Sequence, residues 1–163
     1  MNGITWTLRA LHHGESELAA ELLTVAQRHR TEHEIHHVAT DIAHWSRIHA
    51  RKIAGAAAPY GLHLHTAAPH TPHGIVAVLR EKLAEAVGHR PEPGLLLLRD
   101  LRHLYLGASE NSLHWEMLAQ AAQAGRETPL LDLATACHPQ TLRQIRWTNT
   151  MIKNLSPQIL TSL

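Results

Sequence analysis

The sequence contains no phenylalanine, and its aromatic residues are four tryptophans and two tyrosines. A core built from it must be filled by Leu, Ala, Ile and Trp. There is one cysteine, Cys137, which excludes an internal disulfide and fits a reducing compartment, so a cytoplasmic location is expected. No apolar run is long enough to span a membrane. The opening MNGITWTLRALHH lacks the basic start and apolar stretch of a secretory signal. An excess of charge is missing too. The formal net charge is +1, which argues against a nucleic-acid binder with a strong basic field. Strand-like alternation and short fixed-period repeats are also absent.

What is abundant is histidine, 16 of 163 residues. The length fits a single domain, residues 1–163, large enough to bury a core. Apolar residues recur at helical spacing, which predicts an all-α protein with helices over about 4–29, 31–57, 75–87, 94–124 and 129–154. The first helix carries Leu8, Leu11, Leu18, Leu22 and Val25 on one stripe, with Glu15 inside it. Gly14 weakens that helix by ~1 kcal/mol relative to Ala, but the periodicity continues through it. The second should begin with a capping box, Thr31 with Glu34, and carries Ile35, Val38, Ile42, Trp45 and His49. The third is apolar on two faces, Leu97/Leu101/Leu104/Ala108/Trp115 and Leu106/Leu113/Met117/Ala121, which suggests burial on both sides, the second by the crossover helix. The fourth has Leu131, Ala134, Leu142, Ile145 and Ile152, with His138 central, and should kink or restart at Pro139. Each long helix contributes one Trp: Trp6, Trp45, Trp115 and Trp147. Short first and third connections and a long second one predict a four-helix bundle whose crossover carries the short extra helix.

Three groups of residues invite chemistry. His33-Glu34-Ile35-His36-His37 matches the HExxH pattern, in which two imidazoles one turn apart hold Zn and the Glu serves as base. At ~100° per residue, however, His33, His37 and His44 point away from the apolar stripe, which argues against a protease. His63, His65, His70 and His73 form a His-rich loop able to capture a divalent ion, or simply a biased surface loop without acidic or thiol partners. The third group is Glu15, His49, Glu110 and His138, each near the middle of a long helix. Glu15 lies 15 residues before residue 30, His49 18 after residue 31, Glu110 16 after residue 94 and His138 16 before residue 154. If the crossover returns the chain to the first turn, the four lie within about one helical turn of one another. Buried carboxylates need partners, and imidazoles or a cation supply them.

A long four-helix bundle with this pattern of connections resembles the ferritin-like superfamily. Residues 11–18 (LHHGESEL) and 110–125 are similar to small bacterial, stress-associated members, and the ending 147–160 to actinobacterial ones. The resemblance implies a di-iron or di-manganese centre, with a Glu on each of two helices and Glu-x-x-His on the other two. On that pattern Glu15 matches the lone Glu of the first helix, Glu110 that of the third and His49 the His of the second. Ser46 stands where the Glu partner of His49 belongs, and the fourth helix has no Glu-x-x-His, His138 and Thr141 occupying its level. The implied ligand set is therefore incomplete: Glu15, His49, Glu110 and His138 around one divalent ion (Fe, Mn or Zn) with residual redox activity. Asp41 and His114 are substitute ligands if the helix phases differ, and Tyr105 and Trp45 are the neighbouring aromatics. The alternative is a metal-free helical interaction protein with a Glu–His hydrogen-bonded layer in its core. No catalytic residue is identified. A hemerythrin-like oxygen binder needs inward His-x-x-x-Glu and His-x-x-x-His pairs, whereas His33 and His37 point outward. The expected partners are a second copy of the chain (a dimer) or another protein, with no nucleic acid and no membrane.

Overall fold

The computed structural model describes residues 2–65 and 92–162, together with Leu83 and Gly88. Among them are four long helices, α1 (Gly3–Arg28), α2 (His33–Ala57), α3 (Pro93–Gly125) and α4 (Thr128–Thr161), with a 3-10 turn (Ala58–Tyr60) after α2 and no strand. The extra helix expected over 75–87, and His70 and His73, lie outside the described residues, apart from Leu83, which is helical and exposed. Among the described residues no helix is long and apolar enough to cross a membrane.

The helix ends follow from local chemistry. The Asn2 side chain accepts a hydrogen bond from the Ile4 amide and caps α1, and the Glu92 carboxylate accepts from the Leu95 amide at the start of α3. Pro93 and Pro129 sit in first turns, where a missing N–H costs nothing. The expected Thr31–Glu34 capping box does not form. Helix α2 begins two residues later, at His33, with Glu32 at the cap position and no side-chain bond there. Nor does α4 restart at Pro139; it runs unbroken through Pro139 and Pro157 to Thr161. Pro139 and Thr135 both face solvent, so water can serve the carbonyl that the proline leaves without a donor.

Cross-helix contacts fix the direction of every helix. Along α1 and α3, Gly14 meets Asn111, Leu18 meets Gly107, and Arg28 meets Asp100, so the two run antiparallel. Along α2 and α4, Ser46 meets Gln144 and His49 meets Gln140, again antiparallel. Helix α2 is antiparallel to α1 as well, with Glu15 beside His49 and His36 on the Ala26 carbonyl. Helix α3 therefore runs parallel to α2 and starts at the α1–α2 turn. The end of α2 and the start of α3 therefore lie at opposite ends of the bundle, as the long second connection predicts.

Two apolar clusters form the core. One lies toward the α1–α2 turn and includes Leu22, Ile35, Ala39, Leu101 and Leu104. The other lies toward the opposite end and includes Leu8, Leu11, Ile53, Trp115 and Leu130. Between them the buried residues are polar: Glu15, Ser46, His49, Asn111, Thr141 and Gln144. The tryptophans share the core unequally. Trp115 is fully buried, Trp45 and Trp147 are half-buried, and Trp6 is 47% exposed. Only one of the two apolar faces of α3 is buried; Leu106, Leu113, Met117 and Ala121 face outward.

Candidate functional site

The polar layer is built on α1 and α2 by the two ionisable residues that interrupt their apolar stripes. Glu15 and His49 are both completely buried. Glu15 Oε1 accepts a hydrogen bond from the Trp115 indole Nε1–H at 2.8 Å and a longer one from the Thr141 hydroxyl at 3.3 Å. His49 Nδ1 lies 3.2 Å from the same oxygen but is misaligned, leaving that nitrogen without a hydrogen-bond partner. The other imidazole nitrogen, Nε2, is 2.7 Å from the Gln140 carboxamide oxygen. That oxygen can only accept, so Nε2 carries a proton. A neutral ring would then turn the Nδ1 lone pair toward the carboxylate. The indole and the hydroxyl therefore support the carboxylate, while His49 is held from its other side by Gln140. The Trp115 ring also meets the His49 ring edge to face, 5.9 Å between centroids.

Amides and hydroxyls complete the layer. The Gln144 side chain donates to the Ile42 carbonyl at 3.0 Å and to the Ser46 hydroxyl at 2.9 Å, tying α4 to α2. Asn111 presses against Gly14, and a Cβ at that glycine would collide with the Asn111 carboxamide oxygen. Close approach of α1 and α3 therefore depends on glycine at this point. Glu15 Oε2, Asn111 Nδ2 and Gln144 Oε1 are buried without a partner among the described residues.

The four residues expected to meet as ligands do not come together. Glu15 and His49 are adjacent, but Glu110 is exposed on the outer side of α3, one residue from the inward Asn111. His138 is half-buried between α3 and α4, where its Nε2 is 2.8 Å from the Ser112 hydroxyl and its Nδ1 3.9 Å from the exposed Glu116. The reason is helix phase. The buried stripe of α4 is Leu130, Leu133, Ala134, Cys137, Thr141, Gln144, Thr148 and Met151, so Leu142 is exposed and His138 lies to one side. Asp41 is exposed, and His114 stacks edge-on against Trp6 at 5.6 Å, so neither substitutes at the layer. Tyr105 and Trp45 are half-buried.

Most described members of the other two histidine groups lie at the surface. His33, Glu34, His37 and His44 are exposed, as the phase of α2 predicts, and His63 and His65 are exposed after the 3-10 turn. Among the described residues no three His, Cys, Asp or Glu side chains gather as an ion site. The donor set at Glu15 and His49 is a poor fit to a metal centre for a more specific reason. One carboxylate oxygen is already taken by an indole and a hydroxyl, one imidazole nitrogen by an amide, and the remaining neighbours are neutral.

A second buried cluster has no counterpart in the sequence-based reading. Asp100 accepts hydrogen bonds from Arg28 at 2.7 Å and from His29 at 2.8 Å, joining the end of α1 to the first turns of α3. Burial pushes the Asp100 carboxyl up, but hydrogen bonds from His29 and Arg28, reinforced by their charges, outweigh it and hold the group below its ordinary value. Only the Arg28-His29 pair at a helix end hinted at it. Cys137 is buried, and desolvation raises its thiol to about 11, partly offset by Lys52 and reinforced by Glu15. It is an un-ionised, unreactive thiol. No known family model, curated protein or solved structure matches the chain.

Proposed function

We propose that the protein is a helical-bundle interaction protein of the ferritin-like type, whose mid-core layer is held by hydrogen bonds and not by a resident metal. One observation carries this reading. Of the four expected ligands only Glu15 and His49 meet, Gln140 and Thr141 bond to them, and the other buried polar residues of the layer are the neutral Ser46, Asn111 and Gln144. The ferritin-like component is supported by the order of helix directions, with α2 and α3 parallel and one long crossover between them. A lone, buried, un-ionised cysteine supports placement in the cytoplasm.

A second reading is favoured by the unpartnered Glu15 Oε2 and His49 Nδ1. These are the atoms that would take one divalent ion, Fe, Mn or Zn, with the Lewis acidity or redox chemistry such an ion supplies. Elemental analysis of tag-free protein purified without chelator separates the two. The metal-free layer predicts sub-stoichiometric metal that is unchanged in Glu15→Ala and His49→Ala. One equivalent of metal that both substitutions remove would establish the second reading. Metal lost only on deleting residues 63–73 would assign it to the His-rich loop and leave the core layer metal-free.

A further inference from the structure

The outer face of α3 carries a stripe of large apolar side chains that no other described element covers. Leu95 is 42% exposed, Leu106 49%, Leu113 66% and Met117 48%. At about 100° per residue these four fall within a narrow arc opposite the buried stripe of the same helix. Arg99, Arg102 and Glu110, all exposed, occupy the intervening turns of that arc. Near one end the exposed Trp6 of α1 extends the apolar surface through its contact with His114.

We propose that this face is where two copies of the chain meet, their α3 helices antiparallel about a two-fold axis through Leu106. The spacing of the stripe carries the argument. Its positions, 95, 99, 102, 106, 110, 113 and 117, are separated by 4, 3, 4, 4, 3 and 4 residues, a pattern that reads the same in both directions from Leu106. With a two-fold axis at Leu106, residue 106 + k of one copy faces residue 106 − k of the other, so this spacing sets every stripe position against another stripe position. Leu106 then meets Leu106, Leu95 meets Met117, and Arg102 meets Glu110. The last two pairings each occur twice. Arg99 falls opposite Leu113, where its aliphatic stem can cover the leucine while the guanidinium stays in water. A parallel pairing would instead set Arg102 against Arg102 and Glu110 against Glu110, so charge selects the antiparallel arrangement. Spacings of 3 and 4 keep all seven positions on one side of the helix, so the whole stripe can meet a partner helix. The interface stands whether or not the core layer holds a metal.

Within one chain Arg102 and Glu110 are eight residues apart, about 12 Å along the helix, too far to pair with each other. Charge reversal therefore reports on the contact between copies. Sedimentation equilibrium of the full chain should show a dimer. Arg102→Glu alone and Glu110→Arg alone should each weaken it about tenfold or more, because each places like charges together twice. Mixing the two variants should restore a dimer containing one of each, since both of its charge pairs are again opposite. Leu106→Glu should give a monomer with unchanged helical circular dichroism, the side chain being outside the core. A wild-type chain that stays monomeric at high concentration would overturn the proposal, even if another protein binds the stripe. So would a dimer indifferent to Leu106→Glu, or charge variants that fail to recombine.

Discussion

The Trp115 indole donates its hydrogen bond to the Glu15 carboxylate, and the two together decide what the buried layer tolerates. Its Nε1–H makes the shorter of the two hydrogen bonds to Oε1, and the carboxylate is completely buried. Trp115→Phe removes that donor while keeping an aromatic ring in place, and should cost about 2–3 kcal/mol, the range for a hydrogen bond to a charged group plus a small cavity. Thr141→Val removes the 3.3 Å donor and should cost under about 1 kcal/mol. Urea midpoints at constant m-value measure both, and equal losses would mean that the indole is not the principal support of Glu15. Glu15 and His49 were legible in the sequence because an ionisable residue on a greasy stripe stands out. Their neighbours were not. Asn111, Gln140, Thr141 and Gln144 are neutral polar residues, and in a helical sequence these look the same whether they face water or a buried carboxylate.

The same ambiguity operates along whole helices. The buried stripes of α1 and α2 are apolar apart from Thr7, Glu15, Ser46 and His49, so hydrophobic periodicity located them correctly. The buried stripe of α4 contains Thr141, Gln144 and Thr148, while Leu142 is exposed beside it. Periodicity there selected a ridge rotated by about one residue, ~100°, which is why His138 was placed in the core. On α3 the sequence displayed two apolar faces, and nothing local distinguished the buried one from the exposed one. Gly14 looked like a local weakness, yet it is a point of close approach between α1 and α3. Helix propensity alone would make Gly14→Ala stabilising by ~1 kcal/mol. The new methyl collides with the buried Asn111 carboxamide, and displacing it should outweigh that gain, for a net loss of about 1–2 kcal/mol. Adding Asn111→Ala should abolish the clash, so that the two substitutions show strong coupling in a thermal-melt cycle. A stabilised single variant would mean that Asn111 moves aside freely.

At the scale of the molecule, the directions of the helices followed from connection lengths, but the clamp at the start of α3 did not, because its members are 72 and 71 residues apart in sequence. That clamp and the histidine content together determine how the protein meets acid. His12 is partly buried, and desolvation, then the neighbouring His13, lower its pKa from 6.5, so the folded state favours the neutral ring. Below pH 6.5 the unfolded chain takes up this proton first, and stability contributed by His12 is lost as pH falls toward the folded value. Asp100 is also depressed, from 3.8, so its contribution is full above that pH and disappears as pH falls through the lower folded value. Full protonation of all 16 histidines would raise the formal net charge from +1 to +17, and self-repulsion favours expansion. Thermal midpoints should therefore decline from about pH 6.5 downward and fall again below about pH 4. High salt should soften the decline by screening the surface repulsion, while leaving most of the losses at the more buried His12 and Asp100. Asp100→Asn should flatten the lower step and cost about 2–3 kcal/mol at neutral pH, where the charge-assisted bonds from Arg28 and His29 are lost. Stability that stays level from pH 7 to pH 5 would show that neither His12 nor the accumulated charge acts against the fold.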